Sequence, residues 1–588
     1  MLDHVIRGGR IVDGTGAPPF VGDVAISGDR IIAVGNVAAE SAQTTDARGL
    51  LVTPGFVDIH THYDGQASWD ALLMPSSLHG VTSVAFGNCG VGFAPARADR
   101  HAWLIDLLEG VEDIPGTALT EGLTWDWETF PEYLDALDRR RFVLDVGAHM
   151  PHAPLRAYVM GEPGGDPSAV PTAAEMRTMA QLVVEAIDAG ALGFSTSRTM
   201  VHRTKAGETI ATYRAPDEEL LAIARAIGKC GRGVIQLISD AYLLADEAFA
   251  DDEFNLIEKM ADLSGRPLSL TVQQVGHLPD RWRWMFERIA ALRQRGHDVR
   301  AQVAARAIGA IVGLRTSSNP FAFTPTWATL ADLSFEERLT RVRQPAIRQR
   351  LLSEVREPSC HPLAAVMADS FGRLFRMADP VDYEPAPDRS LGAEAIRLGR
   401  DPAAHTLEVM LEEEGSRLLY MPSLNYAHGS LDDVHEMMSA DFALFGLSDG
   451  GAHCGAICDA SFPTTALSLW PQGIRSGRSI PLETAVNGYT QRNARQMGWN
   501  DRGVLMPGYL ADLNLIDEHD LALPPPDAVY DLPAGGMRLV QRARGYRMTI
   551  KRGEVTFLDG VPTEARPGRL MRGPAEPAPL IGRLTKHS

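Results

Sequence analysis

Two histidines separated by one residue, His60 and His62, end an apolar segment that reads Pro-Gly-Phe-Val-Asp-Ile-His-Thr-His from residue 54. The segment predicts a β-strand, in which residues i and i+2 share a face and lie about 6.5 to 7 Å apart along the chain. Both imidazoles can then bind one cation. Zn, Fe, Ni and Cu suit imidazole, and zinc is the default because it is abundant and has no redox chemistry. The competing interpretation is a pair of strand-end histidines that hydrogen-bond to loops.

A second chemical signal is Asp449, at the end of the apolar run that begins near residue 443, with His453 four residues later. A carboxylate in this position can bind a metal, take the proton of an attacking water and return it to the leaving group. The alternative is an aspartate that caps the next helix. His453 is interpreted as a substrate contact, with an ordinary loop histidine as the alternative.

Eight short apolar runs alternate with helical patterns, which is typical of βα units around a parallel sheet. They predict an α/β fold, a (β/α)₈ TIM-like barrel, in which active-site residues gather at the carboxyl ends of the strands. The predicted strands are Phe56–His62, Val81–Gly87, Phe142–His149, Ala191–Thr196, Gly233–Ser239, Leu268–Gln273, Val299–Val303 and Ala443–Asp449. The two histidines and the aspartate would then meet at one end of the barrel.

The chain outside these strands predicts three further parts. Residues 1–54 and 503–560 alternate apolar and polar residues around turn signals, so we expect them to form one small β-sandwich domain. The barrel would span 55–502, with a lid-like insertion at about 308–415 that has helical patterns of its own. Residues 561–588 are rich in Pro and Gly and predict an extended C-terminal tail.

The composition, 45% apolar and 22% charged over 588 residues, indicates a globular protein with a large core. The 56 Lys and Arg against 75 Asp and Glu give a net charge of −19, which repels nucleic acid and anionic membranes. No apolar run is long enough for a membrane span or a signal peptide. Five scattered cysteines do not form a disulfide framework. We expect a soluble cytoplasmic protein with a small-molecule substrate and no nucleic-acid or membrane partner; the sequence also allows a homo-oligomer.

Further motifs resemble a known superfamily almost end to end. Gly-Gly-x-Ile-Val-Asp-Gly-Thr at 8–15, the strand with the two histidines, and Pro-Gly-x-x-Ala-Asp-Leu at 507–513 resemble the amidohydrolases. Gly87-Asn88-Cys89-Gly90, Trp125-Asp126-Trp127 and Gly193-Phe194-Ser195-Thr196 are similar to the D-aminoacylase, or N-acyl-D-amino-acid deacylase, family. The resemblance implies metal-dependent amide hydrolysis, with Cys89 as a zinc ligand. Taken alone, Cys89 is more typical of a small buried apolar residue.

The chain also departs from that family, because the fifth and sixth predicted strands contain no zinc-binding histidine. The carboxylated lysine that bridges two metals in hydantoinase-like relatives is missing from the fourth strand as well. One interpretation is a single metal on the two strand-one histidines and Asp449, completed by Cys89 or Gln236. Another is that His277 or His152 supplies the missing nitrogen. We expect one divalent metal, zinc, with two metals as the alternative.

Candidate substrate contacts follow the third, fourth and seventh predicted strands. His149 and His152 resemble a histidine-bearing turn of the family, which implies contact with an oxyanion or the substrate. Interior histidines with structural partners are the alternative. The family's carboxylate-binding lysine is missing after the sixth strand, and Arg198 or Arg306 can replace it with a planar guanidinium. Each arginine also has an ordinary structural interpretation.

These residues and the resemblance together predict deacylation of N-acyl-D-amino acids or related small N-acyl compounds, with Asp449 as general base and then acid. A second hypothesis keeps the hydrolase and changes the substrate to a cyclic amide, an imide or another small C–N or ester compound. A third is a barrel that has lost turnover and keeps a binding role. The missing strand-five and strand-six histidines favour the third hypothesis, and the retained His60, His62 and Asp449 oppose it.

Overall fold

The computed structural model describes residues 2–331, 333–357, 367 and 369–578, and it combines parallel strands, helices and a separate, largely antiparallel sheet. No helix in these ranges has both the length and the hydropathy needed to cross a membrane. The strands are β1 Leu2–Ile11, β2 Phe20–Ser27, β3 Arg30–Gly35, β4 Ser41–Asp46, β5 Leu51–Pro54, β6 Phe56–Asp58, β7 Val81–Phe86, β8 Asp145–Ala148, β9 Met150–Pro151, β10 Gly193–Arg198, β11 Val234–Ser239, β12 Leu268–Thr271, β13 Val299–Val303, β14 Ile308–Val312, β15 Phe375–Arg376, β16 Leu419–Leu424, β17 Ala443–Phe445, β18 Leu513–Ile516, β19 Asp527–Val529, β20 Arg538–Val540, β21 Tyr546–Lys551, β22 Glu554–Leu558 and β23 Val561–Pro562.

Helices fill the connections between the parallel strands and much of the segment between β14 and β17. The α-helices are His101–Glu112, Gly116–Gly122, Phe130–Asp138, His152–Met160, Ala173–Ala189, Asp217–Cys230, Glu247–Ser264, Arg281–Gln294, Pro325–Ala328, Phe335–Val342, Pro345–Glu354, Leu391–Leu398, Pro402–Met410, Glu412–Gly415, Asp432–Ser439, Phe462–Ser468, Leu482–Asn487 and Asn493–Gln496.

Strands β6 to β13 and β17 pair in parallel. β6, β7 and β8 form one run, and β9 to β13 form another that ends on β17. The carbonyl of Ala148, the last residue of β8, accepts a hydrogen bond from the backbone N–H of Leu192, just before β10. Thr61 bridges Gly450 in parallel, which joins the segment after β6 to the segment after β17. The carboxyl ends of these strands therefore lie at one end of the assembly.

Several of these strands are buried on both faces, as is usual for a parallel sheet covered by helices. Every residue of β7 and of β11 is buried. Helices pack against the strands, as the helix Ala173–Ala189 shows by burying Met179 and Val183 on one face. This helix begins at a capping box formed by Thr172 and Glu175. Its buried face belongs to the largest hydrophobic core, which also contains residues of β7, β10, β11, β12 and β13.

The largely antiparallel sheet brings together segments from both ends of the described chain. β5 lies parallel to β1 and antiparallel to β18, with Thr53 opposite Asn514. The sheet has a hydrophobic core of its own. β5 leads through Gly55 directly into β6, and a Cβ at Gly55 would lie 2.2 Å from the Oγ1 of Thr82, so only glycine fits this junction. The sheet therefore anchors the strand that precedes His60 and His62.

The segment predicted as an insertion at about 308–415 has a separate hydrophobic core and a small sheet. Its first strand, β14, pairs antiparallel with β16, so the segment closes at Leu424, beyond the predicted end. Residues 332, 358–366 and 368 of this segment lie outside the described residues. Ser317 donates to Asp113 Oδ2 at 3.0 Å, and its backbone N–H donates to the carbonyl of Gly455 at 3.0 Å. These bonds hold the segment beside the loop that follows Asp449.

The segment after residue 560 follows the parallel strands as far as residue 578. Gly568 pairs with Phe142, and Leu570 pairs in parallel with Val146 of β8. Ala575 pairs in parallel with Trp499, so the segment passes under the amino ends of the strands. Residues 579–588 of the predicted tail lie outside the described residues.

Two strand boundaries near the site differ from the sequence prediction. The first parallel strand ends at Asp58 rather than at His62, and the last ends at Phe445 rather than at Asp449. Leu447 and Asp449 have φ angles of 60° and 48°, outside the β region, so the chain turns before it reaches the aspartate. The remaining predicted strands differ from the observed ones by up to three residues at either end.

Candidate metal centre

Four side chains converge at the carboxyl ends of β6, β7 and β17. Ligand atoms of His60, His62 and Cys89 lie within 4.8 Å of one another, and all three residues are buried. The Oδ1 of Asp449 lies 3.4 Å from His60 Nε2 and 3.6 Å from His62 Nε2. The Cys89 Sγ is 3.3 Å from His60 Nε2. The four residues predicted to hold a metal therefore lie together, Asp449 through its contacts with the two histidines.

Gln302, on β13, orients the imidazole of His60. Its Oε1 lies 2.6 Å from His60 Nδ1, while its Nε2 donates to the Oγ of Ser269 at 2.9 Å. Because the amide oxygen can only accept, Nδ1 carries the proton and Nε2 keeps its lone pair. Nε2 is the atom that faces Cys89 and Asp449. The sequence analysis missed Gln302, although a large polar side chain inside a predicted buried strand was a usable signal.

Glu112 is the charged partner of the other histidine, His62. Its Oε1 lies 3.3 Å from His62 Nδ1, and both side chains are almost completely buried. The Nε2 of His62 is thereby left to face Asp449. Glu112 ends the helix His101–Glu112, a position to which no motif in the sequence drew attention.

Cys89 reaches the centre through a tight turn after β7. Its φ of 54° is left-handed, and the amide of Asn88 stabilises the turn by donating to the carbonyls of Thr61 and Ala85 at 3.1 and 3.0 Å. The backbone N–H of Cys89 donates to Gln236 Oε1 at 2.9 Å. The turn therefore links β7 to β6 and to β11, and its geometry aims the thiol at the histidines.

The electrostatics of the centre favour one anion beside one neutral imidazole. Burial lowers the pKa of His60 to about 4, so this imidazole is neutral at pH 7. Burial opposes ionisation of Asp449, yet His62 and His60 outweigh it and hold the pKa of its carboxyl well below the usual range. The pKa of His62 is raised well above its ordinary value because Glu112 and Asp449 outweigh the effect of burial. A carboxylate and an imidazole lone pair are thus available together.

Three further histidines surround this centre. His149 is buried, neither of its ring nitrogens has a hydrogen-bond partner among the described residues, and burial lowers its pKa to about 3. His453 lies 3.9 Å through Nε2 from Glu112 Oε2 and is partly exposed. His202, which the sequence analysis missed, has its Nδ1 2.8 Å from the Oγ of Ser197. Burial lowers the pKa of His202 to about 3, with His62 contributing to the shift, so the ring lies near the centre.

The two arginines predicted to bind a substrate carboxylate both have internal partners, which corrects that expectation. Arg198 donates through Nε and Nη2 to Glu253 at 2.6 to 2.9 Å. Arg306 is 1% exposed and donates to Thr465, Ser461 and the carboxylate of Asp459. Each guanidinium therefore has a carboxylate of its own chain as its charged partner.

The replacement ligands also have other roles in the structure. His152 is buried between Thr196 and Glu219, at 2.8 Å from each, so its two nitrogens are occupied. His277 is exposed and its Nε2 lies 2.8 Å from the carbonyl of Leu243. Gln236 uses its oxygen on the Cys89 turn, and its buried Nε2 has no partner among the described residues. Neither His152 nor His277 belongs to the group of converging ligand atoms.

Solved structures similar to this one include a D-aminoacylase and an N-acyl-D-glutamate deacylase. The crystal structure of D-aminoacylase aligns with a TM-score of 0.64 at 23% sequence identity, covering 97% of this chain and 100% of that one. An N-acyl-D-glutamate deacylase from Bordetella bronchiseptica, complexed with zinc and a phosphonate inhibitor, aligns with a TM-score of 0.63 at 24% identity and the same coverage. At these identities the similarity concerns the fold.

Sequence relatives agree with the structural ones. An N-acyl-D-aspartate deacylase of Alcaligenes xylosoxydans xylosoxydans is 27% identical over 525 residues, covering 88% of this chain and 86% of the relative. An N-acyl-D-glutamate deacylase of the same organism is 38% identical over 200 residues, which are 33% of this chain and 37% of that relative's length. The model of the amidohydrolase family matches residues 43–557. With the matched segment covering most of the chain, this protein belongs to the amidohydrolase family.

Proposed function

We propose that this protein is a metal-dependent hydrolase that removes the acyl group from N-acyl-D-amino acids or related small N-acyl compounds. The observation that carries the proposal is the convergence of His60, His62, Cys89 and Asp449. Family membership and the long alignment with an N-acyl-D-aspartate deacylase support the same chemistry. In this proposal the parallel strands form a (β/α)₈ barrel with its active site at their carboxyl ends, and the antiparallel sheet is a separate small domain.

The residues present fit a divalent metal. Two imidazoles, a thiol and a carboxylate are the ligand types that zinc prefers, and the buried lone pair of His60 Nε2 has a fixed direction. We assign His60, His62, Cys89 and Asp449 as the residues that would hold it. When bound, the metal supplies polarisation of the scissile carbonyl and lowers the pKa of water at the site toward about 7.

Asp449 is the group that moves the proton. Its side chain is 21% exposed, more than those of His60 and His62, so it faces both the ligands and the open side of the centre. The carboxylate accepts a proton from the attacking water while the water oxygen bonds to the acyl carbon. It then donates that proton to the nitrogen as the C–N bond breaks. We assign His149 and His453 as contacts to the oxyanion and the substrate.

We assign one metal to the site. On β11 and β12, the strands in which further histidines were expected, Gln236 supports the Cys89 turn and Ser269 accepts a hydrogen bond from Gln302. Among the described residues, His60, His62 and Cys89 are the group of three or more His, Cys, Asp or Glu whose ligand atoms converge. β11 and β12 therefore supply no histidine, cysteine or carboxylate for a second metal site.

The test combines metal analysis with a substrate panel. We expect about one zinc per purified chain, loss of hydrolysis after chelation and recovery on adding zinc. N-acetyl-D-amino acids should be hydrolysed, and their L-enantiomers serve as the matched control. Hydrolysis of cyclic amides or imides alone would replace the proposed substrate class. Neither metal uptake nor turnover would instead indicate a binding protein that has lost its catalytic function.

A further inference from the structure

A cavity of about 270 Å³ lies at the end of the parallel strands opposite to the metal centre. It is lined by residues just before β10, β11 and β12, where these strands begin, whereas the metal ligands follow the ends of β6, β7 and β17. Residues 572–574 form another wall. The volume is close to the lower end of the 300–1,000 Å³ that is typical of small-ligand pockets, roughly the size for a compact molecule.

Four arginines and a single carboxylate line this cavity. The arginines are Arg232, Arg266, Arg495 and Arg572, and the carboxylate is Asp188. An excess of positive charge at one place is notable in a chain whose net charge is −19, because the field of the whole molecule does not attract anions. Any anion that binds here must be held by local contacts.

Two of these four arginines have internal partners and two keep unused donors. Arg232 pairs with Asp188, and Arg572 donates to the carbonyl of Ala189 at 2.8 Å and to Asp135 at 2.6 Å. Arg266 uses only its Nε, which donates to the carbonyl of Gly233 at 3.1 Å, so its two terminal nitrogens are open. The side chain of Arg495 has no partner among the described residues. Arg266 and Arg495 therefore offer guanidinium donors to a ligand.

A buried amide gives a second, independent indication of a ligand. Gln496 lines the cavity and is 2% exposed, yet neither its oxygen nor its nitrogen has a hydrogen-bond partner among the described residues. Orphaned buried polar atoms are costly, at about 1–3 kcal/mol each, and call for an explanation. A bound molecule with hydrogen-bonding oxygens would satisfy the amide nitrogen.

The cavity wall is also built for close approach. The backbone N–H of Gly573 donates to the carbonyl of Gly190 at 3.1 Å, and a Cβ at Gly190 would lie 2.5 Å from the Cβ of Arg572. Only glycine at 190 lets the C-terminal segment seal this side. The segment thus places Arg572 beside the arginines of the strand-β11 and strand-β12 loops.

We propose that this cavity binds a compact dianion through Arg266, Arg495 and Gln496. The shared chemistry is two negative charges on oxygen acceptors close together, as in inorganic phosphate or a short dicarboxylate, which planar guanidinium groups bind in a bidentate manner. The site is separate from the catalytic centre and does not depend on the proposed hydrolysis.

Calorimetric titration of the zinc-loaded protein with phosphate, and separately with succinate, at constant ionic strength tests the site. We expect saturable binding of at least one of the two, and at least a tenfold weaker affinity in the double variant Arg266→Ala/Arg495→Ala. Arg495→Lys should give an intermediate affinity because it keeps the charge and loses the planar fork. Arg177→Ala, an exposed arginine on the helix Ala173–Ala189, is the matched control and should bind as the unaltered protein does.

The relative affinities for phosphate and succinate identify the source of the dianion. Hydrolytic activity and melting temperature without ligand should be the same in all these variants, which separates loss of binding from misfolding. Binding of neither probe would overturn the proposal. Equal affinity in the double variant would also overturn it, because the anion would then be held elsewhere, for example at the metal.

Discussion

Gln302 Oε1, on β13, and His60 Nδ1, just beyond the end of β6, lie 2.6 Å apart although the two residues are separated by more than 240 positions in sequence. The contact fixes the tautomer of His60 and the direction of its Nε2 lone pair. A neutral imidazole otherwise populates two tautomers. The contact with Gln302 holds His60 in one of them before a ligand binds. Removing the Gln302 side chain should therefore lower the affinity of the centre for a metal by a measurable amount.

Gln302→Leu should weaken zinc binding by about 10- to 100-fold, the range for loss of a partner that orients a metal-bound histidine. Competition with a fluorescent zinc chelator measures the affinity. Gln302→Glu keeps an acceptor at the same position and serves as the control, with a smaller loss. Unchanged affinity in the leucine variant would mean that His60 is not a ligand through Nε2.

Asp449→Asn should lower kcat by about 10²- to 10⁴-fold, the contribution of a general acid–base group, while the protein retains most of its metal. The amide keeps an oxygen that can face His60 and His62 but cannot accept the proton. Steady-state kinetics with an N-acetyl-D-amino acid and metal analysis of the same sample provide the two readouts. Near-normal kcat would contradict the assigned base.

Cys89→Ser should remove the thiolate contribution to a cobalt-substituted centre. The unaltered protein loaded with Co²⁺ should show a thiolate-to-cobalt charge-transfer band in the near ultraviolet, and the serine variant should lack it. Cys454→Ser is the matched control, because Cys454 is equally buried but lies outside the converging ligands. A band that survives in Cys89→Ser would assign the sulfur ligand to another residue.

His79 should make folding stability fall in acid. Its nitrogens lie 2.9 Å from Thr464 Oγ1 and 3.0 Å from the carbonyl of Gln541, and burial lowers its pKa from 6.5 to about 3. The unfolded chain takes up a proton near pH 6.5 and the folded chain does not. The stabilisation is therefore complete above pH 6.5 and is lost at about 1.4 kcal/mol per pH unit as the pH falls toward 3.

Urea unfolding of the unaltered protein and of His79→Gln at pH 8 and pH 5 isolates this contribution. The difference in unfolding free energy between the two proteins should shrink by about 2 kcal/mol at pH 5, since glutamine has no proton to gain. Parallel pH dependence of the two proteins would exclude a perturbed His79.

Arg306→Met should destabilise the fold without changing KM. The guanidinium is buried against Asp459 and several hydroxyl groups, and removing it leaves a carboxylate without its charged partner. Loss of one partner of a buried ion pair costs about 3–5 kcal/mol. Chemical unfolding and KM for an N-acyl-D-amino acid are the measurements. A raised KM with normal stability would restore the original prediction that Arg306 binds the substrate.

The residues closest to the proposed chemistry were the ones most readily found in the sequence. His60, His62, Cys89 and Asp449 stand in short motifs beside strand-like runs, and the structure brings them together. The partners that orient them were not found. Gln302 carries only a weak local signal, whereas Glu112 and His202 become relevant only when helices and loops distant in sequence pack against the strands.

The role predicted for Arg198 and Arg306 depended on contacts that the sequence does not show. A guanidinium near the end of a predicted strand predicts anion binding, but whether an internal carboxylate reaches it first depends on tertiary packing. Glu253 meets Arg198, and Asp459 meets Arg306, across separations of 55 and 153 residues. The end of the last parallel strand was misplaced because Leu447 and Asp449 adopt left-handed conformations that their residue types do not predict.

The pairing of β5 with β18 also constrains how the molecule is made. Residues 51–54 cannot pair with residues 513–516 until the latter have left the ribosome. The strand pairing that supports β6 therefore forms late in synthesis. Contacts this distant in sequence slow the search for the native state. During translation, the segment that carries His60 and His62 therefore lacks this support until residues 513–516 have been synthesised.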